Sequence, residues 1–496
     1  MEQNCVPAMA MLPFALLCAA LARAQHVIHE FKGDADNDRL GATIRAAGDV
    51  NGDGTPDLVA GAPAVAIDRG MARVYSGQDG AVLHTFYGSA DFDHFGAAVS
   101  GAGDANQDGF ADVVCATGRD RANEVIVFSG KDGAELVHLY AEDPRDLFGA
   151  SVDGCGDFDQ DGHDDIVVGV PSSLNFLDFA AVYSGKDGKL LFRFSVDVGF
   201  GLGEVVRGMG DVDHDGFVDL LVAHENGPGN HVNDVISGRT GAVLFAVPGG
   251  GDNQFSADDA GDIDADGVDD VVVGSPGSPA AEWKGIVDVY SGADGALLRE
   301  WIGDRNEDSL GESVAGAGDV NGDAYADVIA GATQHDDPGY ARLYSGRSGQ
   351  VLYDFDGRPF GWRLGQCVEG VRDVDGDGLA DVAVGAPSGS GNRLFVFAGN
   401  DLFLEGRPAS VSPGSLLTLT SSEGRHGDPI AVFAVAFDGV PVLRLAAIGA
   451  FDQGGRFLVA GQVPTFFSNH QISFAAVARG LQGATVASDA ETIVFH

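Results

Sequence analysis

An aspartate-rich loop returns seven times along this chain at a nearly constant interval. Its first aspartates are Asp49, Asp104, Asp157, Asp211, Asp262, Asp319 and Asp373, spaced 55, 53, 54, 51, 57 and 54 residues apart. A fixed period of this size marks an array of like supersecondary units, none of which can bury its apolar faces alone. Other landmarks keep the same phase. An apolar-Gly pair stands about eight residues upstream of the loops, at Leu40-Gly41, Phe95-Gly96, Phe148-Gly149, Phe200-Gly201, Leu310-Gly311 and Leu364-Gly365, with Phe255-Ser256 as the exception. Downstream come "GAP" or its relatives at Gly61, Gly169, Gly274 and Gly385. A "YSG"-type triplet follows, starting at Tyr75, Phe128, Tyr183, Ile236, Tyr290, Tyr344 and Phe397.

Each unit reads as four short strands. In the second, "GAAVSGAG" precedes the acidic loop, and "DVVCATG", "EVIVFSG" and "AELVHLY" follow it. The second strand is nearly all apolar and therefore buried on both faces. The third and fourth are joined by Asp-Gly turns such as Asp79-Gly80 and Asp132-Gly133, the mark of a hairpin. A four-stranded antiparallel sheet with two apolar faces has to stack between copies of itself, and radial stacking gives an all-β, seven-bladed β-propeller. A closed ring must hide its sheet edges. The segment "HVIHEFKG" (26–33) matches the fourth strand of a unit but precedes the first loop, so it is expected to complete blade seven; "LFLEG" (402–406) is the competing segment.

Numbered from its first aspartate, the loop sets oxygen side chains at alternate positions. Position 3 is Asn51, Asn106, Asp159, Asp213, Asp264, Asn321 or Asp375, and position 5 is Asp53, Asp108, Asp161, Asp215, Asp266, Asp323 or Asp377. Position 6 is glycine except at Ala324. Position 9 is Asp57, Asp112, Asp165, Asp219, Asp270, Asp327 or Asp381. Oxygen ligands wrapped about a glycine turn suit one hard cation, and Ca²⁺ accepts 6–8 of them where Mg²⁺ demands a tighter octahedron. Position 7 is Thr55, Phe110, His163, Phe217, Val268, Tyr325 or Leu379. Side chains so varied are not ligands, so the backbone carbonyl is expected to serve there. Up to seven Ca²⁺ ions follow, one per blade, with blade six departing from the pattern at Ala324. An EF-hand is excluded, because position 12 holds Ala60, Cys115, Val168, Val222, Val273, Ala330 or Val384 in place of a bidentate glutamate.

These loops, with their in-phase apolar-Gly and GAP landmarks, resemble the FG-GAP repeats of the integrin α-subunit propeller. The resemblance covers about residues 26–404. It implies calcium on one face of a propeller and a role in adhesion or ligand binding. The leg domains and membrane helix of an integrin α subunit have no counterpart here, so a secreted, stand-alone FG-GAP protein of bacterial type is expected.

Charge and termini bear on the partners. The 74 acidic residues against 29 basic ones give a net charge of -45, which excludes nucleic acid and anionic membrane as partners by repulsion. The hydrophobic share of 45% excludes a disordered acidic tail. Residues 1–24 read as a signal peptide: an apolar stretch ends in Ala22-Arg23-Ala24, and secretion or display at the cell surface follows. No later segment is apolar for long enough to span a membrane. Beyond such a signal the chain keeps Cys115, Cys155 and Cys367, an odd number at unrelated spacings, expected to be buried free thiols, with a Cys115–Cys155 pair as the alternative.

The propeller is assigned to 25–404. Residues 405–496 lose the period and alternate apolar and polar positions between turn residues, which reads as a small β-sandwich. Arg119, Arg121, Phe176, Trp283, Tyr340, Phe360, Trp362 and Arg363 fall in loops opposite the acidic ones and form the candidate recognition surface. The chain lacks G-x-S-x-G, H-E-x-x-H and any Cys/His metal spacing, and a non-enzymatic binding module for an extracellular protein or glycan is the expected function. The alternatives are a matrix protein assembling through 405–496 and an extracellular hydrolase or lyase using histidines such as His224, His231 or His335.

Overall fold

The computed structural model describes residues 27–399, apart from short pieces of connecting loop at 36, 119–122, 144–145, 172–177, 196–200, 227–230, 250–255, 278–280, 282, 334–338, 358–362 and 389–391. Past 399 it describes the backbone of strands between 416 and 494. The first part, Val27–Gly399, is one compact unit of seven four-stranded antiparallel sheets. Blade one shows the plan: β2 (Thr43–Gly48), β3 (Asp57–Ala62), β4 (Met71–Tyr75) and β5 (Val82–Tyr87) pair in chain order. All six residues of β3 are buried, as its apolar run requires, whereas β5 at the outer edge has exposed ends and no fully buried residue. The same order repeats in the next five blades.

Blade seven is assembled from both ends of the ring. Its first three strands are Val368–Arg372, Asp381–Ala386 and Arg393–Phe397. The fourth is the N-terminal β1 (Val27–Lys32), which runs antiparallel to the third with Phe31 opposite Leu394 and Lys32 opposite Arg393. The Phe31 ring then stacks on Tyr75 of blade one at 4.0 Å between centroids. The segment at 26–33 is thus the closing strand, as its likeness to a fourth strand predicts.

The apolar core lies between blades. One cluster joins Val114 and Val127 of blade two to Val152 and Val168 of blade three; another joins Leu394 and Val396 of blade seven to Ile44 and Leu58 of blade one. The glycine landmarks set how closely the blades approach. Gly96 donates its N–H to Ala116 O of its own blade at 2.9 Å, while its carbonyl lies against Gly61 of the preceding blade. A Cβ on Gly61 would fall 2.0 Å from that oxygen. The pairs Gly169–Gly203, Gly274–Gly311, Gly331–Gly365 and Gly385–Gly41 repeat the seat at other seams. Blade four corrects the sequence reading here. Its seat is Leu202-Gly203, with Leu202 fully buried, and Phe200-Gly201 lies two residues too early.

The innermost strands meet around the axis. Four residues before each acidic loop stand Arg45, Ser100, Asp153, Arg207, Asp258, Ala315 and Glu369, one per blade. Arg45 donates to Glu369 at 2.7 Å and comes within 4.0 Å of Asp258 from a non-adjacent blade, so this ring of side chains reaches across the channel. Arg207 Nε donates to Asp258 Oδ1 at 2.9 Å, and Ser100 Oγ to Asp153 Oδ1 at 2.5 Å.

Cys115, Cys155 and Cys367 are buried and free. Among the described residues no helix is long and apolar enough to cross a membrane. Past the propeller, Leu416–Ser421 pairs with Phe457–Gln462, and a five-stranded sheet contains Arg444–Ala450, Pro429–Phe437, Gln471–Arg479, Thr485–Ala487 and Glu491–Val494. The side-chain packing that would make these a sandwich lies outside the described residues.

Candidate metal centre

The acidic loops connect the first and second strands of every blade, and all seven gather on one face. Each is wound around its first aspartate. In blade seven Asp373 Oδ1 accepts from Gly376 N and Asp377 N at 2.7 and 3.1 Å, and its Oδ2 accepts from Gly378 N at 2.9 Å. Asp375 and Asp377 each accept from the N–H two residues on, at 3.1 and 2.9 Å. Two left-handed residues make the turn so tight. Position 6 is one, with φ +94° at Gly378, and Ala324 adopts it at φ +67°. Ala324 N still donates to Asp319 Oδ2 at 2.7 Å, so loop six follows the common path. Position 4 is the other, filled by Gly52, Gln107, Gln160, His214, Ala265, Gly322 and Gly376, all with positive φ.

Position 9 does two jobs that its place in the sequence only half reveals. Asp381 is fully buried; its Oδ2 accepts from Val374 N at 2.7 Å, and its Oδ1 from Gly399 N at 2.6 Å. That glycine ends the "YSG"-type triplet. The same staple ties Asp57 to Gly77, Asp112 to Gly130, Asp165 to Gly185, Asp219 to Gly238, Asp270 to Gly292 and Asp327 to Gly346. One carboxylate therefore fixes the acidic loop to the turn between the third and fourth strands. Burial pushes these carboxyls up, to about 6 at Asp57, Asp112 and Asp165 and about 7 at Asp270 and Asp381, against the opposing pull of the N–H donors. A cation beside them would hold them ionised.

The donor set fits a hard cation. Oxygens of Asp157, Asp159 and Asp165 all lie within 4.8 Å of one another, as do those of Asp211, Asp213 and Asp219, of Asp262, Asp264 and Asp270, and of Asp373, Asp375 and Asp381. Ligand oxygens at 2.3–2.6 Å around one Ca²⁺ can be no further apart than about 5 Å. Blades one, two and six carry Asn51, Asn106 and Asn321 at position 3, so their amide oxygen replaces a carboxylate. Adjacent loops also touch. Ala111 N donates to Asp49 O at 3.0 Å, as do Ala326 N to Asp262 O and Ala380 N to Asp319 O. His214 is exposed on its loop.

On the opposite face the structure separates the expected recognition residues. Trp283 is 50% exposed, whereas Tyr340 is buried with its hydroxyl donating to Asp308 at 3.2 Å. Arg363 is engaged by Glu312 at 3.1 Å. Arg119, Arg121, Phe176, Phe360, Trp362 and His335 lie outside the described residues. His231 is buried, and His224 is buried with its Nε2 3.1 Å from Asp234. A feature the sequence reading passed over is the aspartate two residues before the apolar-Gly pair. Asp38, Asp93 and Asp308 are buried and accept from backbone N–H groups of their own loops, at 2.6 Å from Ala35, 2.6 Å from Ala90 and 2.9 Å from Asp304. The repeated "D-x-apolar-G" spacing was the available signal.

Seven four-stranded blades, glycine seats at the seams and an acidic loop after each innermost strand define the propeller class of the integrin α subunits. The FG-GAP repeat family matches residues 42–83, 148–186 and 369–397, in blades one, three and seven. Integrin alpha-8 of Mus musculus is 30% identical over 210 residues, covering 38% of this chain and 20% of that protein. Integrin alpha-V of Gallus gallus is 27% identical over 212 residues with the same shares, and Integrin alpha-6 of Gallus gallus is 32% identical over 161 residues, covering 30% and 15%. The chain thus spans about a fifth of the length of these relatives. It carries an integrin-α-like FG-GAP propeller.

Proposed function

We propose that this chain is a calcium-binding extracellular propeller that presents its loop face opposite the metal loops to a protein or glycan ligand, as a binding or adhesion module without catalytic activity. In each blade the side chains at positions 1, 3, 5 and 9 and the carbonyl at position 7 serve as ligands. Residues 1–24 are a cleaved signal, 25–404 the propeller, and 405–496 a separate C-terminal domain. The observation that carries the calcium reading is the convergence of three aspartate oxygens within 4.8 Å in each of four loops. Carboxylates packed so closely repel, and a dication relieves them. The exposed Trp283 supports the binding reading, because an indole on a rigid rim offers large apolar area at low entropic cost. Scanning calorimetry tests the metal: millimolar Ca²⁺ should raise the melting temperature by mass action and EDTA should lower it. Identical transitions in the two conditions would remove calcium from the function.

A further inference from the structure

The staple from position 9 brings a second residue to each loop, the one immediately after the stapled glycine. It is Lys131, Lys186, Arg239 and Arg347 in blades two, three, four and six, and Gln78 and Ala293 in blades one and five; in blade seven the sequence has Asn400 there, which lies outside the described residues. Position 7 changes with it. Where the follower is cationic, position 7 is a ring: Phe110, His163, Phe217 or Tyr325. Where it is uncharged, position 7 is Thr55, Val268 or Leu379. Contacts account for the match. Lys131 Nζ lies 4.8 Å from the centre of the Phe110 ring, Arg239 Cζ 5.6 Å from that of Phe217, and Arg347 Cζ 4.9 Å from that of Tyr325. A ring face attracts a cation and so holds it over the loop.

The held charge falls on the acidic loop itself. Lys186 Nζ donates to Asp161 Oδ2 at 3.0 Å, while Asp161 Oδ1 accepts from His163 N at 3.0 Å. Lys131 Nζ stands 3.9 Å from Asp108 Oδ2, and the Arg347 charge reaches Asp323. In blade three the imidazole turns to Ala105 O at 2.7 Å and leaves the lysine directly on the carboxylate. A fixed positive charge at this distance repels a dication and competes for the position 5 oxygen.

We infer that the residue after the stapled glycine tunes calcium affinity among loops of equal carboxylate count: blades three and four, with a cation there, bind more weakly than blades five and seven, and blades two and six bind more weakly than blade one. This rests on the calcium reading above. The charge effect at roughly 5–6 Å, with partial screening by salt, corresponds to about 3- to 10-fold in affinity per loop. Calcium would then fill the loops in steps, and salt would narrow the gap between loops with and without the cation.

Isothermal titration of the full chain with CaCl₂ at low and at moderate KCl tests this. Sites of graded affinity are expected, with two of them, those of blades two and three, tightening by about 3- to 10-fold in the Lys131→Gln, Lys186→Gln double variant. Ala293 is exposed on its turn, so Ala293→Lys should fold and weaken one site by a similar factor. Calcium binding that neither variant shifts overturns the inference and leaves the calcium reading standing. Absence of any calcium binding overturns both.

Discussion

The glycine seat at the closing seam offers the sharpest test of how the ring holds together. Gly385, in the second strand of blade seven, faces the carbonyl of Gly41 in blade one. A Cβ placed there would lie 2.2 Å from Gly41 O and 3.1 Å from Ile44 Cδ1. The first partner is backbone, itself pinned by Gly41 N donating to Gly61 O at 3.1 Å, so no side-chain rotation relieves the clash. Blades seven and one would have to part by about 1 Å, loosening contacts around Leu40, Ile44 and Leu394, all fully buried. Overpacking of this kind costs about 2–3 kcal/mol. Gly378→Ala is the contrast. Its Cβ meets nothing within 4 Å, and only the left-handed φ of +94° opposes it, a strain Ala324 already bears in blade six. That change should cost about 1 kcal/mol. Urea denaturation of calcium-saturated protein should therefore place Gly385→Ala well below Gly378→Ala. Equal midpoints for the two would refute the view that the seam, and not backbone freedom, requires glycine at 385.

A chain beginning at Asp34 lacks β1, which strips blade seven of its edge strand and removes Phe31 from Tyr75. It should lose more than about 4 kcal/mol or aggregate even with calcium present, as light scattering and melting would show. Burial pushes Glu369 of the axial ring up despite Arg45, and pushes Asp259, next to Asp258 of that ring, up to about 8. Both carboxyls are raised above their unfolded values, so their stabilisation is full below about pH 4 and is lost as pH rises through 8. The Asp259→Asn, Glu369→Gln variant should flatten the fall in unfolding free energy from urea titrations between pH 5 and 9 by about 1–3 kcal/mol, and an unchanged slope would count against protonation of these two carboxyls. Trp283→Ala should weaken capture of a ligand found by glycan or protein array by about 1–3 kcal/mol with unchanged melting; full retention would move recognition off this rim.

What could be read from the sequence was what is local. The aspartate spacing lies within nine residues and the four-strand unit within one period of 51–57, and both survive any detail of packing. The closing strand was legible because 26–33 copies a fourth strand, although the choice between it and 402–406 required the register of Phe31 on Leu394. Blade four misled because "GFGLG" offers two apolar-Gly pairs, and only contact with Gly169 selects Gly203. The left-handed position 4 was hidden by its occupants: glycine in three loops and Gln, His or Ala in the others give no shared chemical sign.

The axial ring was illegible for a different reason. Its seven positions hold Arg, Ser, Asp, Arg, Asp, Ala and Glu, and their meaning comes only from facing one another across the channel. The staple lies between these extremes. Both the aspartate at position 9 and its glycine recur in every unit, about 20 residues apart, yet a repeat cannot say that the two touch. Once they do, the residue after the glycine ceases to be an anonymous turn residue and becomes a neighbour of the metal loop. Repetition thus specifies the scaffold, and variation at a repeated position carries what distinguishes one blade from the next.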